Sequence, residues 1–341
     1  MGLFVSMGLQ IGDIVPRKDI SLADLKGKVI AVDAYNAIYQ FLSSIRQPDG
    51  TPLMDSRKRV TSHLSGLFYR NISLLSDGIR LVYVFDGEHH QLKGKTHELR
   101  AEAKAAARAR YKEAVEEEDI EAMGKYARGF VRLNREIVEE SKTLLEALGI
   151  GVVQAPGEGE MQCAQLVKEG EAYAVASQDY DALVVGAKRL IQNLTLARKR
   201  KTVSGFVYIS PEIIEYTSVL HELGINADQL ICLAILVGSD FNPGGVRGIG
   251  PKKALALVRD KKYPVTIFQE VEHQLTFDWK EIFEIFKKPN VVSTHVTFSK
   301  LNEKAVSRIL VSEHDFSSER VEKQLEKLRE LQKASGQKTL F

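Results

Sequence analysis

The 341 residues of this chain read as an α/β fold, a mostly parallel central sheet flanked by helices. Three observations point there. Short β-branched or aromatic runs alternate with long segments of helical period, the pattern of βαβ units. Those runs lack polar alternation, as strands covered on both faces do. One stretch, 88–134, breaks the rhythm with charge-rich, alanine-rich helix material and no strand, and so reads as an insertion after the second strand.

In chain order, 28–32 (KVIAV) and 80–85 (RLVYVF) are the first two strands, and 150–154 and 172–176 are two more. Helical periodicity covers 34–46, 59–76, 129–148 and 160–169. The last of these is bracketed by Gly159 and Gly170, a helix start and stop. Residues 1–331 are expected to form one large domain, with an N-terminal region over 7–105, an internal region over 129–262 and a tail over 332–341.

With 44% hydrophobic and 27% charged residues, the chain is neither disordered nor collagen-like. Cys163 and Cys232 lie far apart in apolar stretches, so no disulfide framework is expected and a reducing compartment is the default. Apolar runs such as 230–237 fall short of the roughly 20 residues that cross a bilayer. Residues 1–6 (MGLFVS) fit an N-myristoylation pattern, but no polybasic partner stands beside it. A soluble, cytoplasmic protein is expected.

The acids are placed unevenly. Asp33 follows the first strand and Asp86 the second. Glu158 and Glu160 sit in the Gly-rich turn 156–160 after the third, and Asp179 and Asp181 in 177–181 after the fourth. Asp240 closes a further apolar run. Ligands of open α/β sheets bind outside the carboxyl ends of the strands. Acids at helix starts also serve as caps, which accounts for one or two of these but poorly for seven. So many gathered carboxylates need counter-charge. Hard divalent cations such as Mg²⁺ take all-oxygen ligands, and two of them together support phosphodiester hydrolysis. Rival chemistries lack their signatures: no P-loop, no dinucleotide fingerprint, no zinc spacing and no nucleophile elbow.

Basic residues are equally uneven. Residues 93–112 hold Lys93, Lys95, Arg100, Lys104, Arg108, Arg110 and Lys112 against Glu98 and Glu102. That one-sided excess reads as a footprint for nucleic-acid phosphates, where a solvated face would carry balancing acids. No acid occurs over 182–211, which includes the run 198–201 (RKRK). At 244–253 a glycine-rich turn with Gly248 and Gly250 opens a helix bearing Lys252 and Lys253. Backbone N–H groups there can hold a phosphate, so 230–262 resembles a helix-hairpin clamp on a duplex backbone.

These motifs together resemble the flap endonucleases, structure-specific 5′ nucleases, and most closely the archaeal type. The match is carried by 30–41 (IAVDAYNAIYQF), 61–70 (TSHLSGLFYR), 82–87 (VYVFDG), 154–160 (QAPGEGE), 177–181 (SQDYD) and 236–253. The resemblance implies that Asp33, Asp86, Glu158, Glu160, Asp179, Asp181 and Asp240 hold two Mg²⁺ ions. It further implies that Lys93 and Arg100 are catalytic cations at the base of a helical arch, about 88–134, past which a 5′ flap runs. Tyr39 matches an aromatic on which a base stacks. Arg46, Thr61 and Arg70 fall in segments like the family's DNA-contacting surroundings, and Gly248, Gly250, Lys252 and Lys253 match its backbone clamp. The implied activity is 5′ flap endonuclease with 5′ exonuclease action on branched DNA, in replication (Okazaki fragment maturation) and repair.

Three departures accompany the match. The family begins at a Met-Gly equivalent to Met7-Gly8, and six residues precede it here. The segment 242–245 (NPGG) stands where some relatives carry a hydroxyl side chain. The tail Gln337-Lys338-Thr339-Leu340-Phe341 resembles the start of a sliding-clamp (PCNA) motif, with Gln337, Leu340 and Phe341 as contacts, and stops before its last aromatic positions. Two other readings stay open on residues alone. A single-strand ribonuclease on a similar acidic sheet would need neither insertion nor clamp. A non-catalytic nucleic-acid binder would gain nothing from acids where phosphates approach.

Overall fold

The computed structural model describes residues 9–337 other than 89, 132, 196–198, 203 and 204. Its strands are β1 (Lys18–Asp19), β2 (Val29–Asp33), β3 (Arg80–Phe85), β4 (Gly151–Gln154), β5 (Ala174–Ala176), β6 (Arg189–Gln192), β7 (Lys199–Thr202), β8 (Gly205–Tyr208) and β9 (Glu212–Glu215). Its helices up to the middle of the chain are α1 (Ala34–Ser44), α2 (Ser62–Ser76), α3 (Gly94–Glu116), α4 (Ile120–Ala127), α5 (Arg135–Ala147), α6 (Gly159–Glu169) and α7 (Asp181–Val184). Then come α8 (Tyr216–Leu223), α9 (Ala227–Val237), α10 (Pro251–Lys261), α11 (Pro264–Glu270), α12 (Trp279–Lys287), α13 (Glu303–Ser307) and α14 (Ser318–Gln337).

Seven strands form one sheet in the order β1-β9-β6-β5-β2-β3-β4, and β7 pairs with β8 separately. β2 runs parallel to β3 and β5, β3 to β4, and β5 to β6. The chain builds outward from β2 through β3 to β4, then returns to the other side of β2 for β5 and β6. The order therefore reverses between β2 and β5, the position at which doubly wound sheets open a ligand crevice. β9 and β1 close the far edge antiparallel.

Alternation along each strand divides the core in two. Ala31, Val82, Val84, Val175 and Leu190 face α6, α7 and the helices from α9 to α12. Ile30, Val32, Leu81, Tyr83, Phe85 and Ala176 face α1, α2, α5 and the C-terminal helices. Both faces are covered, which is why these strands read as unbroken apolar runs.

The four expected strands are present within two residues of their expected bounds. β1, β6, β7, β8 and β9 carried no legible signal, being only two to four residues long and, apart from β8, polar or basic at their ends. The helix expected from residue 59 starts at Ser62, because 53–61 folds back on itself and the Thr61 N–H donates to the Leu53 carbonyl at 2.8 Å. The one expected from 129 starts at Arg135, where Asn134 Oδ1 accepts the Ile137 N–H at 2.9 Å and caps the helix. Residues 88–134 are α3, α4 and two short 3₁₀ turns, without a strand among the described residues. No single helix among those residues is long and apolar enough to cross a membrane.

Candidate active site

Each of the seven acids is delivered by an element end. Asp33 is the last residue of β2 and caps α1, its Oδ1 accepting the Asn36 N–H at 3.0 Å. Asp86 follows β3, and its Oδ1 accepts the N–H of Gly159, the first residue of α6, at 2.7 Å. A Cβ on Gly159 would lie 2.5 Å from that same oxygen, so the approach requires glycine there. Glu158 is the N-cap residue of α6 and Glu160 lies in its first turn. Asp179 lies in the turn after β5, and Asp181 opens α7. Asp240 follows α9 and is reached from the insertion.

Lys93, immediately before α3, is buried, 8% exposed. Its Nζ donates to Glu158 Oε2 and stands 3.5 Å from Asp240 Oδ2. Arg100, two turns into α3, places Nη2 2.8 Å from both oxygens of Asp240. Thr96, between them, donates its hydroxyl to the Asp240 carbonyl at 2.6 Å. The two cations expected to act together thus stand inside the acid cluster, and the Lys93 ammonium also faces the Phe241 ring, 5.2 Å from its centroid.

The electrostatics of this arrangement follow from burial and like charge. Burial pushes the Asp33 carboxyl well above the usual range, and Asp86 and Asp179 add to the shift. Glu160 is raised in the same way, by burial and then by Asp179 and Asp181. Burial, with Asp240 next, raises Asp179 to about 6 and Asp181 to about 7. Lys93 goes the other way from most buried amines: its burial is outweighed by Glu158 and Asp240, which keep it charged. Two cations face seven acids, and the raised carboxyls show that their charge is not fully balanced.

The donor set fits a hard divalent cation by its chemistry: oxygen ligands throughout, with Glu158 Oε1, Glu160 Oε1 and Asp181 Oδ1 buried and without a hydrogen-bond partner. Among the described residues no group of three or more His, Cys, Asp or Glu side chains stands at cation-holding spacing. Lys93 and Arg100 instead take up carboxylate oxygens of Glu158 and Asp240.

The expected DNA-contact residues sit on several different elements. Tyr39, on α1, is exposed, and the Lys104 ammonium of α3 lies 5.9 Å from its ring centroid. Arg46 is spent on structure, donating to the Leu42 carbonyl at 2.9 Å and the Gly50 carbonyl at 2.6 Å. Thr61 is buried at the start of α2, the member of the set least available to a ligand. Arg70 lines a cavity of about 310 Å³ with Ser65, Tyr69 and Ser73. Gly248 adopts φ +77°, Gly250 caps α10, and Lys252 and Lys253 are exposed on that helix, Lys253 donating to the Gly248 carbonyl at 3.1 Å. Gln337 ends α14, while Leu340 and Phe341 lie outside the described residues.

Sequence reasoning missed residues that hydrogen-bond at or beside the acids. Asn36 Nδ2 donates to Asp179 Oδ2 at 2.9 Å, and Gln154 Nε2 donates to the Asp86 carbonyl at 2.7 Å. Tyr180, between Asp179 and Asp181, accepts a hydrogen bond from Arg17 at 3.2 Å. Only Asn36 carried a local signal, as the third residue of the helix that Asp33 caps.

Comparisons with known proteins agree with the motif resemblance. The XPG N-terminal domain model matches residues 7–107 and the XPG I-region model residues 149–240. Flap endonuclease 1 of Pyrococcus furiosus is 51% identical over 337 residues, covering 98% of each chain. That of Hyperthermus butylicus is 48% identical over 330 residues, covering 95% of this chain and 94% of its own. Among solved structures, flap endonuclease-1 from Methanococcus jannaschii aligns with a TM-score of 0.75 at 42% identity, over 94% of this chain and 98% of that one. The catalytic core of Rad2 in complex with DNA substrate aligns with a TM-score of 0.70 at 22% identity, over 94% of this chain and all of that one (100%), a likeness of fold. Half-identity along nearly the whole of both chains places this protein in the flap endonuclease family.

Proposed function

We propose that the protein is a structure-specific 5′ flap endonuclease, with 5′ exonuclease action, that hydrolyses a phosphodiester near the single-strand/double-strand junction of branched DNA. One observation carries the reading. Seven carboxylates from five chain segments crowd one another beside the reversal of strand order, and Lys93 and Arg100 reach Glu158 and Asp240 among them from the helical insertion.

In this reading Asp86, Glu158 and Glu160 hold one Mg²⁺, Asp179 and Asp181 hold the other, and Asp33 and Asp240 complete or orient the two sets. Bound there, the ions would supply an activated water and charge stabilisation at the leaving oxygen. The chain's own residues do the rest. Lys93 and Arg100 present positive charge where the scissile phosphate must approach seven acids, so they supply the attraction that the acids oppose. Tyr39 offers an exposed ring beside them for a base to stack on, which tolerates any sequence. The turn holding Gly248 and Gly250, with Lys252 and Lys253, grips a duplex backbone without reading bases. The tail from Gln337 through Leu340 and Phe341 is proposed to engage a sliding clamp.

The test is a gel assay on a duplex with a labelled 5′ flap, with Mg²⁺ and with EDTA. A discrete product within about a nucleotide of the junction, absent with EDTA, is expected. A ladder of fragments along the flap, or binding without cleavage, would overturn the reading.

A further inference from the structure

Asn36 stands at the reversal of strand order, between the two strands that flank it. Its backbone and its side chain do separate things there. The N–H donates to Asp33 Oδ1 at 3.0 Å, a helix cap that any residue but proline could supply. The side-chain amide donates from Nδ2 to Asp179 Oδ2 at 2.9 Å, across 143 residues of sequence. β2 ends at Asp33 and pairs with β5 through Val32 and Ala176, and Asp179 lies three residues past that pair. Asn36 therefore bridges the carboxylates that the two central strands deliver to the crevice.

We infer that Asn36 is a positioning residue, whose side-chain amide fixes the direction of the Asp179 carboxylate and so sets how tightly the site takes its divalent cation. The inference rests on the reading of this centre as a metal-dependent nuclease. The physical case has three parts. A carboxylate on a turn has its own torsional freedom, and a hydrogen bond to one oxygen leaves the other committed to one direction. The amide is neutral, so it orients Asp179 without taking up the negative charge that draws the cation, as a lysine or arginine would. It is also half-buried on α1, whose neighbouring Ala37 and Ile38 are packed in the core, so the donor itself is held in place.

The arrangement separates positioning from folding. Because the cap on α1 uses the backbone N–H, replacing the side chain leaves Asp33 and the helix start intact. The experiment compares wild type with Asn36→Ala and Asn36→Leu, the second keeping the volume while removing the amide. Three quantities are read: the Mg²⁺ dependence of thermal stability without DNA, the Mg²⁺ dependence of flap cleavage, and melting in EDTA. Both variants are expected to need about ten times more Mg²⁺ for half of each effect, the low end of the cost of losing a partner that orients a ligand. Cleavage at saturating Mg²⁺ is expected to recover to near the wild-type rate, and melting in EDTA to stay unchanged.

Mg²⁺ titrations that superpose on wild type would overturn the inference. So would a cleavage defect that saturating Mg²⁺ does not relieve, or a melting loss in EDTA that accounts for the whole effect in both variants. The DNA-free titration keeps this test separate from the functional reading. A wild-type protein that binds Mg²⁺ but does not cut flaps would refute the nuclease assignment and leave the role of Asn36 measurable.

Discussion

The Arg100 guanidinium lies 2.8 Å from both carboxylate oxygens of Asp240, joining the helical insertion to the turn after α9 across 140 residues of chain. Thr96 strengthens the same junction through the Asp240 carbonyl, and Lys93 stands 3.5 Å from the Asp240 side chain. One face of α3 is thus fastened to the acid centre.

Removing either cation is expected to affect cleavage more than binding. Lys93→Ala and Arg100→Ala should each slow single-turnover cleavage by about 10²-fold or more, the scale of losing one electrostatic stabiliser. Flap affinity, to which the proposed backbone clamp and Tyr39 would also contribute, should fall by less than about tenfold. Quench-flow kinetics and a binding titration in Ca²⁺ separate the two. Equal losses in rate and affinity would show that these residues only hold DNA.

Asp181 illustrates a conflict between activity and stability. It is 9% exposed, one of its oxygens has no partner, and burial raises its carboxyl to about 7. Asp181→Asn removes the buried charge at nearly constant shape. Cleavage should drop by at least about 10²-fold while DNA binding is kept, and melting in EDTA should rise by about 2 °C. A lower melting temperature would mean that the acid is structural.

The acids also set how stability depends on pH. Asp33, Glu160, Asp179 and Asp181 all have folded-state values raised above the usual carboxylate range, the last two to about 6 and about 7. Between about pH 4 and 7 these four groups therefore hold more protons in the folded protein than in the unfolded chain, so their contribution makes stability fall as pH rises. The buried imidazole of His63, lowered by burial, opposes them. In EDTA, melting should decline from pH 5 to pH 8. Saturating Mg²⁺ should flatten or reverse the slope, since cations compete with those protons. Differential scanning calorimetry across this range checks both, and a rising profile in EDTA would contradict the charge crowding described.

Gly159 offers a test by a single methyl group. Alanine favours helices by about 1 kcal/mol over glycine, yet its Cβ would fall 2.5 Å from Asp86 Oδ1. Gly159→Ala should cut activity by at least about tenfold through displacement of Asp86, with little change in melting. Unchanged activity would show that Asp86 can move without consequence.

The sequence by itself determined the parallel core of the sheet, the helices between its strands and the insertion. Each rests on signals carried within one segment: two-sided apolar runs, a 3.6-residue period, a block of alanine and charge. It also pointed to seven acids, because acids that follow apolar runs or sit in the turns after them are conspicuous without knowing how the strands are ordered. Tertiary structure decided what no single segment encodes. The edge strand β1 and its neighbour β9 are held by pairing with each other and with β6, which outweighs their weak local preference. The placement of Lys93 and Arg100 against Glu158 and Asp240, and of Asn36 against Asp179, depends on strand order and on the path of α3. Strand order is fixed by which faces pack against which helices, so these contacts exist only once the whole sheet has closed around its two cores.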